Sequence, residues 1–403
     1  MSRLQQGLYQ CQYGAQGDVR GSYAHLPCQG LWTWLTGKAL APAEDAQPAP
    51  ARGERFLLAH LLFTWSAMAA LLLLGQAALS GALGQGAGLL LVPLGWVLMV
   101  NRLRSMQATF HYLTHGAVLK DKQRAQRYAL WFLTTPLLYQ DWHTYNQSHV
   151  REHHNIHVLC SAADPDQRFI EAQGFYLGMP EWLYWWRVIS TPFHPVYLLR
   201  QWRETLRDNL QRPPRAQVLF RLGFWAVLLG ALWALGGLQA FALMYVLPRA
   251  VLFEHSMWLQ LFTEHLWFYQ PALPAGAKQR YGYLTWGRFQ GRRPPREGGL
   301  AMAAWLLRGL LCDLPVRLYI YPQDLPNHDA HHRRPNVHFC DIARYRASAE
   351  RQPSSYGPWL EVWGFVAGLQ LIRDHLCRGV QAPFTLRDPQ PTAHFTPPTC
   401  QGV

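Results

Sequence analysis

Charge is scarce in this sequence, and acidic charge scarcer still: Asp, Glu, Lys and Arg make up 15% of 403 residues, with 24 acidic against 37 basic. Whole classes of motif are missing as well. Seven cysteines, an odd number without a C-x-x-C pair, exclude a disulfide framework and place the soluble parts, as free thiols, in a reducing compartment. No P-loop, Gly-rich dinucleotide fingerprint or hydrolase elbow occurs, so the chain is not expected to bind NAD(P)H or flavin itself. Zinc-finger and RNA-binding signatures are also absent, and the basic residues flank apolar runs instead of interleaving with aromatics. The formal charge of +13 is therefore assigned to membrane lipid or an acidic protein partner, with no nucleic acid. The first 50 residues lack the basic, apolar, small-residue order of a cleavable signal, so membrane insertion is expected to rest on internal spans.

Against these absences, half of the residues are hydrophobic, with 18 each of Trp, Tyr and Phe, and the apolar ones are concentrated in runs. Residues 56–74 form one run, interrupted only by His60, Thr64 and Ser66, and residues 86–100 form a second after an uncharged turn. Residues 218–235, carrying Arg221, and 238–253, carrying Arg249, pair in the same way around Gly236 and Gly237. This pattern predicts four spans in two transmembrane helical hairpins, the second pair being half-inserted in the alternative reading because Arg221, Pro248 and Arg249 dilute it. Arg52, Arg55, Arg102, Arg104 and the basic stretch 203–215 lie opposite the uncharged turns, which makes that side cytoplasmic. Residues 175–199, with Trp182, Trp185, Trp186 and three prolines, are expected to lie at the interface. A moderately apolar helix is expected at 301–311, an amphipathic one at 360–376, and a flexible tail over the last twenty residues.

The 18 histidines are clustered: seven fall between His111 and His157 and three between His328 and His332. His111 and His115 form H-x-x-x-H in HYLTHG, one face of a helix continuing from the second span. His149, His153 and His154 form H-x-x-x-H-H in QSHVREHHNIH, and His328, His331 and His332 form H-x-x-H-H in LPNHDAHH. A single zinc ion uses about four ligands, so eight imidazoles without matching cysteines imply two metals; the ligand type suits iron that cycles its oxidation state and binds dioxygen.

HYLTHG, HVREHH and HDAHH, in this order, resemble the three histidine boxes of the membrane fatty acid desaturase superfamily and its hydroxylases, over roughly residues 55–332. The resemblance implies an all-α integral membrane fold, with two helical hairpins carrying a cytoplasmic helical cap that holds a histidine-rich di-iron site and a narrow tunnel for an acyl chain. It also implies oxidation of an unactivated C–H bond with O2 and two external electrons, the substrate being a fatty acid, acyl thioester or lipid. All eight box histidines become catalytic and metal-binding candidates, and a ninth ligand is expected after the fourth span. His111 lies 11 residues past Val100, about 16 Å along a helix, and His265 lies 12 past Phe253, so His265 is preferred, with His255 and His157 in reserve. Asp164-Pro165-Asp166 resembles the DPD that often follows the second box, although it also suits a helix cap.

Two departures stand out: Arg333-Arg334-Pro335 replaces an apolar stretch after the third box, and His194-Pro195 lacks the Gly-Gly of a fused cytochrome b5. A separate donor such as ferredoxin with its reductase is therefore expected, docking on basic stretches at 120–127 or 288–296. The chain is divided into an N-terminal cytoplasmic segment (1–50), the membrane desaturase-like domain with its cap (51–345), and a C-terminal amphipathic helix and tail (346–403). Its expected place is a bacterial inner membrane, with termini and metal site cytoplasmic. Hydroxylation and oxidative decarboxylation are the rival chemistries; a metal transporter, a haem-binding membrane protein and a purely structural adaptor are the rival classes.

Overall fold

The computed structural model describes residues 9–40, 52–269, 276–381 and 383–386. Helix α1 spans Gln29–Thr36, α2 Glu54–Leu79 and α3 Gln85–Thr114. Together with Arg215–Ala234, α2 and α3 are the three helices among the described residues that are long and apolar enough to cross a membrane. Their outer faces present Leu62, Leu73, Leu89, Leu90, Val227 and Trp233 uncovered, as lipid-facing helices do. Helix α3 continues past the apolar run that ends at residue 100, as expected: the first histidine box lies in its last turn and its C-cap, with no break between span and site.

The expected fourth span is helical without interruption from Leu238 to Phe262, wound as Leu238–Phe241, Ala242–Val246, Pro248–Leu252 and Phe253–Phe262, of which the middle two are π-helical. Pro248 and Arg249, which dilute its apolarity, lie in the second π-helical stretch. Arg249 is buried; its Nε and Nη2 donate to the carbonyls of Leu137 (2.7 Å) and Leu138 (2.9 Å), and its Nη1 donates to Glu254 (2.7 Å). It thus satisfies the carbonyls left at the end of the helical stretch that stops at Leu137, where Leu138 turns left-handed. Arg221 likewise turns inward, to Asn209 and to Thr134 Oγ1. Close packing ties these pieces to the first hairpin: Met244 sits against Gly75 and Gly95, where a β-carbon would collide with it.

Glu181–Ser190 and Pro195–Leu210 cover the expected interfacial stretch and leave Trp182, Trp186, Ile189, Phe193 and Leu199 exposed. Leu300–Arg308 is helical as expected and exposes Leu300, Leu306 and Leu307.

The structure corrects the all-α expectation by adding a four-stranded sheet. Its strands are β1 Tyr9–Gly14, β2 Gly287–Phe289, β3 Leu360–Trp363 and β4 Phe384–Leu386, in the order β2-β3-β1-β4. β1 and β2 run parallel to β3, and β4 runs antiparallel to β1. β3 takes the start of the stretch expected as an amphipathic helix, which begins instead at Phe365 after Gly364 (φ 102°) has turned the chain. Arg288 is a second correction. It is buried in β2, donating to the carbonyls of Leu325 (2.7 Å) and Gln260 (2.9 Å), so only Arg292, Arg293 and Arg296 of that basic stretch reach the surface. The tail beyond residue 386 lies outside the described residues, as do residues 1–8 and 41–50 of the N-terminal segment.

Candidate metal centre

Four elements converge beneath α3. The end of α3 brings His111 and His115; Asn146–His153 and the residue after it bring His149, His153 and His154; Phe253–Phe262 leads into His265; and His328–Arg333 brings His328, His331 and His332. Their nitrogens fall into two groups, each within 4.8 Å throughout: His111, His115, His149, His154 and His331 in one, and His153, His265, His328 and His332 in the other. The groups adjoin, with the His154 and His332 rings stacked at 4.2 Å. His157 is exposed and joins neither group. His255 also stays apart, its Nδ1 2.9 Å from the Tyr319 hydroxyl.

The second box departs from the expected α-helical frame, because Asn146–His153 is π-helical and the His154 amide donates to the His149 carbonyl five residues back (3.0 Å). At about 4.4 residues per turn, residues four and five positions on fall to either side of the first, so His153 and His154 straddle His149. In an α-helix, at 3.6 per turn, His154 would point well away from His149. This widened turn lets one segment serve both groups.

In the second group the outward nitrogens are held by oxygens. His153 Nδ1 meets Asp164 Oδ1 (3.1 Å) and Asp166 Oδ2 (3.3 Å), His265 Nδ1 donates to the Leu284 carbonyl (3.1 Å), and His332 Nδ1 meets the Tyr281 hydroxyl (2.7 Å). The inward Nε2 atoms face one another: His265 to His153 at 3.2 Å, His328 to His265 at 3.1 Å, and His332 to His328 at 3.0 Å. Ring protons taken outward by these oxygens leave inward lone pairs close enough together to ligate one cation. In the first group His111 Nε2 lies 2.6 Å from His331 Nε2, and His115 Nε2 is buried without a hydrogen-bond partner. The residues present therefore fit two metal ions.

Burial holds His154, His265, His328, His331 and His332 well below the usual imidazole range, so these rings are neutral and ready to ligate. His153 is the exception. Burial pulls it down, but Asp164 and Asp166 outweigh this and lift it to about 9. Asp164 fills both roles considered for it: it also caps the following helix, accepting from the Asp166 amide (3.0 Å) and from that of Cys160 (2.8 Å). Behind the third box, Arg346 grips buried Asp329 through Nε at 3.0 and 2.9 Å. Arg333, which departs from the desaturase pattern, lies 4.0 Å over the Trp359 ring and donates to the Pro358 carbonyl (2.7 Å), so it anchors a loop.

This chain is 26% identical over 184 residues to the dihydrorhizobitoxine desaturase of Bradyrhizobium elkanii. The match takes in 43% of this chain and spans about half (52%) of that protein's length. No family model matches the chain. A distant similarity to a desaturase and two histidine groups able to hold metal together suggest an oxidoreductase.

A cavity of about 340 Å3 opens onto both groups, lined by His111 and His149 of one and His328 of the other. Its remaining wall includes Arg104, Gln140, Asp166, Glu254, Gln260 and Glu264. Arg104 and Glu254 were missed as site residues in the sequence reading. The available signal was Arg104's position seven residues before His111, hence on the same face of α3.

Proposed function

We propose that the chain is a membrane-anchored non-haem di-iron oxidoreductase that desaturates its substrate with O2 and two electrons from a separate donor protein. One observation carries this reading most: nine buried or half-buried imidazoles form two adjoining groups, eight of them supplied by the three segments that resemble desaturase histidine boxes and the ninth by His265. Two irons held there would supply the oxidation: two C–H bonds break, one C=C forms, and dioxygen takes substrate and donor electrons with protons to leave as two waters.

The chain's own residues do the positioning. Asp164, the Leu284 carbonyl and Tyr281 fix ring orientation, which directs Nε2 inward. The four-span topology, a cytoplasmic face for the site and the bacterial inner membrane belong to the same proposal. A transporter would need ligands at mid-membrane, and a b-type haem needs histidines facing each other within the spans; both groups gather past the apolar part of α3. Hydroxylation uses the same residues and differs only in the product.

Elemental analysis of the detergent-purified protein tests this reading. Near two irons per chain is expected, lost in His331→Ala/His332→Ala, which removes one imidazole from each group. Zinc alone, a haem, or unchanged metal in a folded double variant would overturn it.

A further inference from the structure

The wall of the cavity carries charge that the metal centre does not use. Arg104 is 1% exposed, and its Nε and Nη2 have no hydrogen-bond partner; its Nη1 donates to Gln107. Glu254, 3% exposed, gives one carboxylate oxygen to Arg249 and leaves Oε2 without a partner. Both side chains line the cavity that reaches His111, His149 and His328. Arg104 makes no ion pair among the described residues, and Glu254, whose charge Arg249 offsets, still has one acceptor oxygen unused; both are costly when buried, and a ligand anion at Arg104 with a charged donor at Glu254 Oε2 remedies both. A carboxylate suits the guanidinium fork, and an ammonium suits the free Glu254 oxygen. Neither of these two groups suits a methylene, whereas Phe169, Met257, Leu261 and Leu325 elsewhere in the wall suit a short apolar side chain.

Spacing along α3 sets the reach. Arg104 and His111 lie on one face, two turns or about 10 Å apart, with Ala108 between them leaving the wall open. A molecule anchored at Arg104 therefore extends toward the histidines. The volume is at the lower end for ligand sites, which run from about 300 to 1,000 Å3.

We propose that the molecule entering this cavity is a short zwitterion, an α-amino acid with an unbranched side chain, and not a long acyl group. Arg104 takes the carboxylate, Glu254 takes the ammonium, and the side-chain carbons lie toward the histidines. That these carbons are the ones oxidised rests on the oxidoreductase reading above; the binding does not.

Isothermal titration calorimetry on the full-length purified protein tests the binding, with metal content measured on the same preparation. Norvaline, norleucine and methionine are the probes, with hexanoate, hexylamine and palmitate for comparison. At least one amino acid is expected to bind, with hexanoate and hexylamine each roughly tenfold weaker or worse, because each lacks one of the two charges. Arg104→Gln is expected to weaken the amino acid by a similar factor and Arg104→Lys by less, both with unchanged metal content. The comparison of ligands on the unaltered protein stands even if an Arg104 variant fails to fold. Silence from all three amino acids, or equal affinity in a folded Arg104→Gln, overturns the proposal. Arg104-dependent binding in a protein without metal would sink the oxidoreductase reading alone; two irons with palmitate bound and the amino acids silent would sink the zwitterion alone.

Discussion

Individual histidines in this protein are told apart by what holds their outer nitrogen. His153 is poised to carry an extra proton in the absence of metal, because Asp164 and Asp166 lift it to about 9, while burial keeps its neighbours neutral. A metal arriving at His153 Nε2 must displace that proton. Loading at pH 7 to 8 should therefore release close to one proton per chain, measurable in a weakly buffered titration. Apparent affinity for the metal held with His265 should fall by about one log unit per pH unit as pH drops below 9. Asp164→Asn should reduce both effects; a pH-independent affinity would contradict this account. The division into groups gives a second test: His115→Ala and His265→Ala should each cost about one of the two metals, and not the same one. All nine histidines were legible from sequence, eight by box spacing and His265 by counting residues beyond the last apolar run. Their partition was not, because spacing gives neighbours along a helix but not which imidazoles meet across helices.

At the scale of elements, the sequence showed where helices run but not how they are wound. The spacing His149, His153, His154 is compatible with an α-helix, and nothing local announces the π-turn that makes these three diverge correctly. Inserting one alanine between Val150 and Arg151 should move His153 to the side His154 now occupies and turn His154 away, so that each group loses a ligand and binding of both metals falls by elemental analysis, while the membrane helices persist by circular dichroism. The fourth apolar stretch shows the same limit: its hydropathy suggested a span, but not that it would wind as π-helix around Pro248 or turn Arg249 inward. Arg249→Met leaves Glu254 buried and uncompensated, and should lower stability by about 3–5 kcal/mol. A shift in the denaturation midpoint of the solubilised protein would measure it.

For the whole molecule, the least legible feature was the sheet, because strands of three to six residues carry little periodicity and pair across hundreds of positions. Its strands come from all three stretches into which the sequence was divided, and they frame a buried ionic cluster. Arg346 joins Asp329 of the third box to Glu361 of β3, and Lys38 meets the same Glu361. Arg346→Leu should thus cost about 3–5 kcal/mol and also loosen metal at the third box, although Arg346 is not among the grouped histidines. Loss of stability with fully retained metal would show that the sheet and the centre are uncoupled. The divided service of two short segments has a last consequence. Asn146–His153 with His154, and likewise His328–Arg333, each send imidazoles to both groups. An ion held in one group would order segments that the other group also uses, so occupancy should rise sigmoidally with free metal. For the same reason a displacement of either segment disturbs both sites together, whereas the loss of a single side chain such as His115 or His265 reaches only one.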